Sequence, residues 1–292
     1  MLNEMNLRGL FVPVVTPFTP DEELDTASYA RYAERLLQQD IQGLVVNGTT
    51  GESPAVTWEE TGRLVQLTRS LMQGRKLPLI VGTGTSSTAD TIKRTGQAGQ
   101  WGADAALVVT PYYSRPSQEG VVEHFRRVAG VGLPVIAYEV PSRTGISLSA
   151  DTMARILDLD GVIGLKDASG GLSLCTELIR RGTKPVLCGE DLHFHTMLEL
   201  GASGGMLASA NMRTDRFAQV YRLAASGKLE QAREAFAGLV PLIRLLFEES
   251  NPAPLKWLLA RQGIIASETL RSPMGPISKQ LQAVLAEALD NG

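Results

Sequence analysis

Residues 43–82 read GLVVNGTTGESPAVTWEETGRLVQLTRSLMQGRKLPLIVG. A short apolar run at 43–47 passes through a Gly-rich turn into an amphipathic stretch at 58–72, and a second apolar run follows at 78–82. Nearly continuous apolar runs of this length are the pattern of parallel strands buried on both faces. The same alternation extends outward in both directions. Further apolar runs lie at 10–16, 105–109, 134–139, 162–166, 185–188 and 205–208, with amphipathic stretches such as 26–39 and 88–101 between them. Eight strand-plus-helix units predict a (β/α)₈ TIM barrel, a fold that occupies roughly 250 residues. The rival is a doubly wound open sheet, but no Gly-rich dinucleotide fingerprint follows any early strand.

The barrel is assigned to residues 1–213. From residue 214 the pattern is helical without strands, at 214–226, 229–248, 254–262 and 276–289, punctuated by Pro252, Pro254, Pro273 and Pro276. Residues 214–292 are therefore read as a C-terminal helical extension packed on the barrel, since no Ser/Gly-rich linker precedes them.

Composition narrows the function. The 292 residues are 43% hydrophobic and 20% charged, with a formal net charge of -3 and both signs interspersed. No basic stripe is present, so nucleic acid is not an expected partner. No stretch approaches the ~20 apolar residues of a membrane span. Nothing near Met1 resembles a signal peptide, so a cytoplasmic enzyme is expected. In that setting Cys175 and Cys188 are expected to be reduced, buried thiols.

In such barrels the chemistry sits at the C-terminal ends of the strands. The apolar runs end in Asn47-Gly48-Thr49-Thr50-Gly51-Glu52, Thr110-Pro111-Tyr112-Tyr113, Tyr138-Glu139, Lys166-Asp167 and Gly189-Glu190-Asp191. Lys166 is the sharpest candidate. A charged amine is costly to bury, and a neutral amine beside a carbonyl is the nucleophile of imine formation. Position alone leaves open a lysine that reaches the rim or pairs with Asp167. Tyr138 and Tyr113 are candidate proton shuttles, because a phenol both donates and accepts; aromatic residues also simply fill barrel mouths. Thr49 and Thr50 sit in a turn whose amides suit a carboxylate, although a tight βα turn needs the glycines anyway. Arg143 is placed to clamp a carboxylate bidentately, or to serve as a surface ion-pair partner. His193 and His195, two apart at a helix start, face different sides, and His124 lies elsewhere, so no metal site is expected. Gly82-Thr83-Gly84-Thr85 lacks the Lys-Ser/Thr of a phosphate loop and reads as a turn.

Taken in order, Gly48-Thr49-Thr50-Gly51-Glu52, then Tyr138 with Pro141, then Gly164-Leu165-Lys166-Asp167 resemble the dihydrodipicolinate synthase and N-acetylneuraminate lyase family of pyruvate-dependent aldolases. The resemblance runs from about Gly9 to the end. Thr110-Pro111-Tyr112-Tyr113, Pro141-Ser142-Arg143-Thr144-Gly145 and Asn251-Pro252-Ala253-Pro254-Leu255-Lys256-Trp257 place it nearer the synthase branch. The resemblance implies a Schiff base between Lys166 and pyruvate, and attack of the resulting enamine on aspartate semialdehyde. The product would be 4-hydroxy-tetrahydrodipicolinate, on the route to lysine and diaminopimelate. Tyr138 would move protons, with Thr49 and Tyr113 as relay partners, Tyr113 reaching in from a neighbouring subunit. Thr50 would hold the pyruvate carboxylate and Arg143 that of the second substrate; Gly189 and Met206 are expected to line the substrate site. A homotetramer built as a dimer of dimers is implied, with no metal or organic cofactor. One departure concerns the second substrate: Glu139 stands where the synthases typically carry Asn, and is expected to add negative charge near the aldehyde. The alternatives are a paralogous aldolase or keto-acid dehydratase acting on another aldehyde or sugar acid, and a silent barrel that binds a metabolite. The intact Lys166, Tyr138 and Thr49 set argues against silence.

Overall fold

The computed structural model describes residues 2–290. Eight parallel strands close into a barrel in sequence order: β1 (Gly9–Pro13), β2 (Gly43–Val46), β3 (Leu79–Gly82), β4 (Ala105–Val109), β5 (Val135–Glu139), β6 (Val162–Asp167), β7 (Val186–Cys188) and β8 (Gly204–Met206). This is the predicted (β/α)₈ fold. The barrel helices share a start signal: Asp25, Thr57, Ser87, Ser117 and Ser149 each cap one with a side-chain oxygen, and Thr57 forms a reciprocal box with Glu60. Each such cap is worth about 1 kcal/mol.

Alternation along the strands sorts the apolar residues into two layers. Phe11, Val45, Ile80, Leu107, Ile136, Leu187 and Met206 fill the barrel interior. Leu44, Val46, Val81, Val108, Ala137 and Leu165 face the helices in the larger outer layer. One irregularity decides the chemistry. Val135 pairs with Val162, but Ile136 pairs with Gly164, so β6 carries one extra residue. A bulge of this kind inverts the facing of every residue beyond it. Strict alternation from the outward Val162 would send Lys166 to the helix layer; the bulge turns it inward.

Several strands are shorter than their apolar runs, while β4 matches its run and β6 extends one residue beyond it. The first leaves the sheet at Pro13 rather than continuing to residue 16, and the eighth is Gly204–Met206 rather than 205–208. The long helix expected at 229–248 is two helices, Leu229–Ala237 and Val240–Leu246. Gly238 caps the first, and Pro241, which lacks an N–H to continue the ladder, opens the second. The last helix is Lys279–Asp290, not 276–289, and Ser278 Oγ accepts the Leu281 N–H at its start. Among the described residues no helix is long and apolar enough to cross a membrane.

Candidate active site

Lys166 and Tyr138 are direct neighbours across the β5–β6 pairing. The Lys166 side chain is buried inside the barrel, with Nζ 4.2 Å from the centroid of the Tyr138 ring. Gly189, beyond β7, makes room for it: a Cβ there would lie 3.0 Å from both Cγ and Cε of Lys166. Asp191 closes this side. One carboxylate oxygen accepts the Ser209 N–H at 2.6 Å, and the other is buried without a partner. Burial raises the Asp191 carboxyl above its usual range, opposed by the Ser209 hydrogen bonds and the charge of Lys166.

Beside them β2 runs into a tight turn. Asn47 and Glu52 both adopt left-handed backbone conformations, at φ 59 and 55. Between them Thr49–Gly51 forms a single 3₁₀ turn, with Gly51 N donating to Gly48 O at 3.0 Å and Glu52 N to Thr49 O at 3.0 Å. Asn251 Nδ2 donates to Thr50 Oγ at 3.1 Å. The Thr50 hydroxyl is thus used as an acceptor, and its own proton is free for another oxygen. Arg143 stands on the short helix Pro141–Thr144 that follows β5. It is exposed, its Nη2 lies 3.5 Å from Asn251 O, and no ion pair engages it among the described residues.

A cavity of about 300 Å³ gathers these groups: Thr49, Thr50, Tyr138, Arg143, Lys166, Gly189, Asp191, Met206 and Asn251 are among its lining. Seven of the eight residues predicted for the site are therefore brought together. Tyr113 is not one of them; it is 94% exposed, in a left-handed conformation at φ 69, just past β4. A second cavity, of about 310 Å³, adjoins the first through Thr49, Tyr138, Arg143 and Asn251 and is mostly apolar.

The expectation for Glu139 is overturned. It pairs with Asp167, and the β5 alternation points both away from the cavity into the helix layer. Glu139 is fully buried, accepting Leu148 N and Thr110 Oγ at 2.8 Å each. Burial pushes its carboxyl up, and Asp167 adds to the shift. It places no charge where an aldehyde enters. Asn251 and Asp191 are the site residues to which sequence reasoning gave no role, although both stand in motifs already singled out. The three histidines are scattered: His124 meets Thr88 at 3.0 Å, His195 meets Leu229 O at 3.2 Å, and His193 lies 3.5 Å from Glu190. Among the described residues no group of three His, Cys, Asp or Glu is placed to hold a metal. Cys175 and Cys188 are buried free thiols, and burial pushes that of Cys175 up to about 12.

A closed parallel barrel with a buried lysine at the end of β6, a phenol against it and a hydroxyl-bearing turn beside it defines a lyase of the class I aldolase kind. The chain belongs to the dihydrodipicolinate synthetase family, whose sequence pattern matches residues 6–291. It is 40% identical over 286 residues to the 4-hydroxy-tetrahydrodipicolinate synthase of Thermomicrobium roseum, covering 97% of this chain and 94% of that one. The crystal structure of a chloride-inhibited dihydrodipicolinate synthase from Acinetobacter baumannii, complexed with pyruvate, superposes with a TM-score of 0.94 at 35% identity, covering 97% of this chain and 98% of that one. A monomeric dihydrodipicolinate synthase variant is equally similar, with a TM-score of 0.94 at 36% identity over 98% of this chain and 97% of that one.

Proposed function

We propose that the chain condenses pyruvate with aspartate semialdehyde to give 4-hydroxy-tetrahydrodipicolinate, through an imine on Lys166. The observation that carries this is the buried Lys166 amine 4.2 Å from the Tyr138 ring, in one cavity with the hydroxyls of Thr49 and Thr50. The amine attacks C2 of pyruvate, and the carbinolamine loses its oxygen as water to leave the imine. Loss of a methyl proton gives the enamine, whose carbon bonds to the aldehyde carbon while the aldehyde oxygen takes up a proton to become the hydroxyl. The amino group of the same substrate then attacks the re-formed imine carbon, closing the ring and expelling the Lys166 amine. Tyr138, the phenol beside the amine, carries protons to and from the carbinolamine oxygen, with Thr49 as its relay partner. Tyr113 is the further relay member, supplied by a neighbouring subunit of a homotetramer arranged as a dimer of dimers. Thr50 donates its free hydroxyl proton to the pyruvate carboxylate. Arg143, with no acidic partner among the described residues, binds the carboxylate of the aldehyde. Gly189 and Met206 shape the wall and floor of the cavity. The covalent imine supplies the electron sink, so the reaction as proposed calls for neither metal nor organic cofactor. With Glu139 directed away from the cavity, no carboxylate of that position repels an anionic aldehyde.

Borohydride reduction in the presence of pyruvate tests the first half. The wild-type chain is expected to gain a covalent pyruvate adduct on Lys166, and Lys166→Ala to gain none. An unmodified wild type would rule out imine chemistry. Turnover of pyruvate with aspartate semialdehyde tests the second half, and a trapped imine without that turnover would reassign the aldehyde.

A further inference from the structure

The proposed pyruvate pocket depends on a turn that the barrel alone does not hold. Glu52 ends the Thr49–Gly51 turn with φ 55, a conformation uncommon for a residue with a side chain. Such geometry persists only where its surroundings impose it. Here the constraint comes from the far end of the chain. Lys256, on the helix Ala253–Arg261, is completely buried and donates to Glu52 Oε1 at 2.7 Å. Its remaining N–H groups go to Thr16 O at 2.9 Å and to Thr269 O, so the ammonium is fully satisfied. The other Glu52 oxygen accepts Arg271 N at 3.1 Å. Thr16, whose carbonyl Lys256 engages, also donates its Oγ to Gly51 O at 2.7 Å. Asn251, five residues before Lys256, holds the Thr50 hydroxyl.

A buried ion pair is a poor way to gain stability, because desolvation opposes the attraction and an apolar pair of similar volume often does as well. What it supplies is direction: three donors and two acceptors fix one geometry where packing alone tolerates several. We infer that Lys256 and Asn251 are positioning residues for the threonine turn. On this inference the C-terminal extension sets the pyruvate carboxylate site through the Lys256–Glu52 pair and the Asn251–Thr50 hydrogen bond. The inference rests on the proposed reading of Thr50 as a carboxylate ligand.

The experiment separates positioning from bulk stability. Lys256→Met alone strands a buried carboxylate, so the informative protein is the double variant Glu52→Gln/Lys256→Met, which removes both charges. Asn251→Ala is the second variant. Circular dichroism and melting establish folding, and steady-state kinetics with pyruvate varied give KM and kcat separately. Both variants are expected to melt as cooperatively as the wild type, with KM for pyruvate raised about tenfold and kcat within about threefold, as loss of one oriented hydrogen bond requires. Unchanged KM for pyruvate in the folded Asn251→Ala protein, or in the folded Glu52→Gln/Lys256→Met protein, overturns the inference. Should the double variant not fold, the Asn251→Ala result decides. A wild type that gives no borohydride adduct with pyruvate defeats the underlying reading instead, and is seen before any variant is made.

Discussion

At the scale of single residues, Glu139 shows how much facing matters. Its position at a strand end marks it as a site residue by sequence, yet its side chain lies in the helix layer with Thr110 and the Leu148 amide. There burial, with help from Asp167, raises its pKa above the ordinary 4.5. An acid whose folded-state pKa is raised stabilises the fold fully below its unfolded pKa, and that contribution is lost as pH rises through the folded value. Glu139→Gln copies the protonated form and cannot ionise. Its amide oxygen can still accept from Leu148, while its NH₂ meets a Thr110 hydroxyl that turns to accept. The variant is therefore expected to melt near the wild-type temperature at about pH 4 and above it at about pH 8. Melting curves across that range check this; a variant less stable at the higher pH would mean that the wild-type carboxylate is held ionised. The residue types at the mouth were legible in the sequence because they end apolar runs. Their facing was not, because it depends on a pairing between strands.

At the scale of elements, that pairing is the β6 bulge. The eight strands were readable from their Val, Ile and Leu runs, and most strand ends fell within a few residues. What the run Val162-Ile163-Gly164-Leu165-Lys166 does not reveal is which residue is extra, since every member is compatible with burial. Gly164 is the one position in it that carries a hint. A Cβ there would come within 2.5 Å of Leu7 Cδ2 and 2.7 Å of Pro185 O, so the bulge closes only around hydrogen. Gly164→Ala is expected to lose about 1–3 kcal/mol of stability through overpacking. The same displacement, passed two residues along β6, is expected to slow borohydride trapping at Lys166 by about tenfold or more. A variant that loses stability but traps pyruvate at the wild-type rate would show that the strand end is held by its other neighbours. The break between Leu229–Ala237 and Val240–Leu246 was missed for a different reason: Pro241 lies inside an otherwise helical apolar pattern, where it starts a new helix.

At the scale of the whole molecule, the barrel and its helical extension form a single site, because Asn251 and Lys256 reach back to a turn two hundred residues earlier. No local pattern in the sequence links those segments, which is why the extension reads there only as packing. Tyr113 presents the opposite case. Its aromatic side chain is 94% exposed on a left-handed backbone, between the less exposed Tyr112, at 36%, and the exposed Arg115. Within one chain it lines no part of the Lys166 cavity. If its hydroxyl completes the relay to Tyr138, it does so across an interface, and activity must follow assembly. The similarity to a monomeric variant makes this a matter for measurement. Light scattering is expected to give about four chain masses at micromolar concentration, with specific activity falling as dilution lowers the mass. Tyr113→Phe keeps the ring that packs and removes only the hydroxyl that relays. It is expected to leave the assembled mass unchanged while lowering kcat by about a hundredfold, the range for loss of one proton-transfer group. Full activity in Tyr113→Phe would remove Tyr113 from the relay, and full activity in a dissociated chain would place the whole reaction within one barrel.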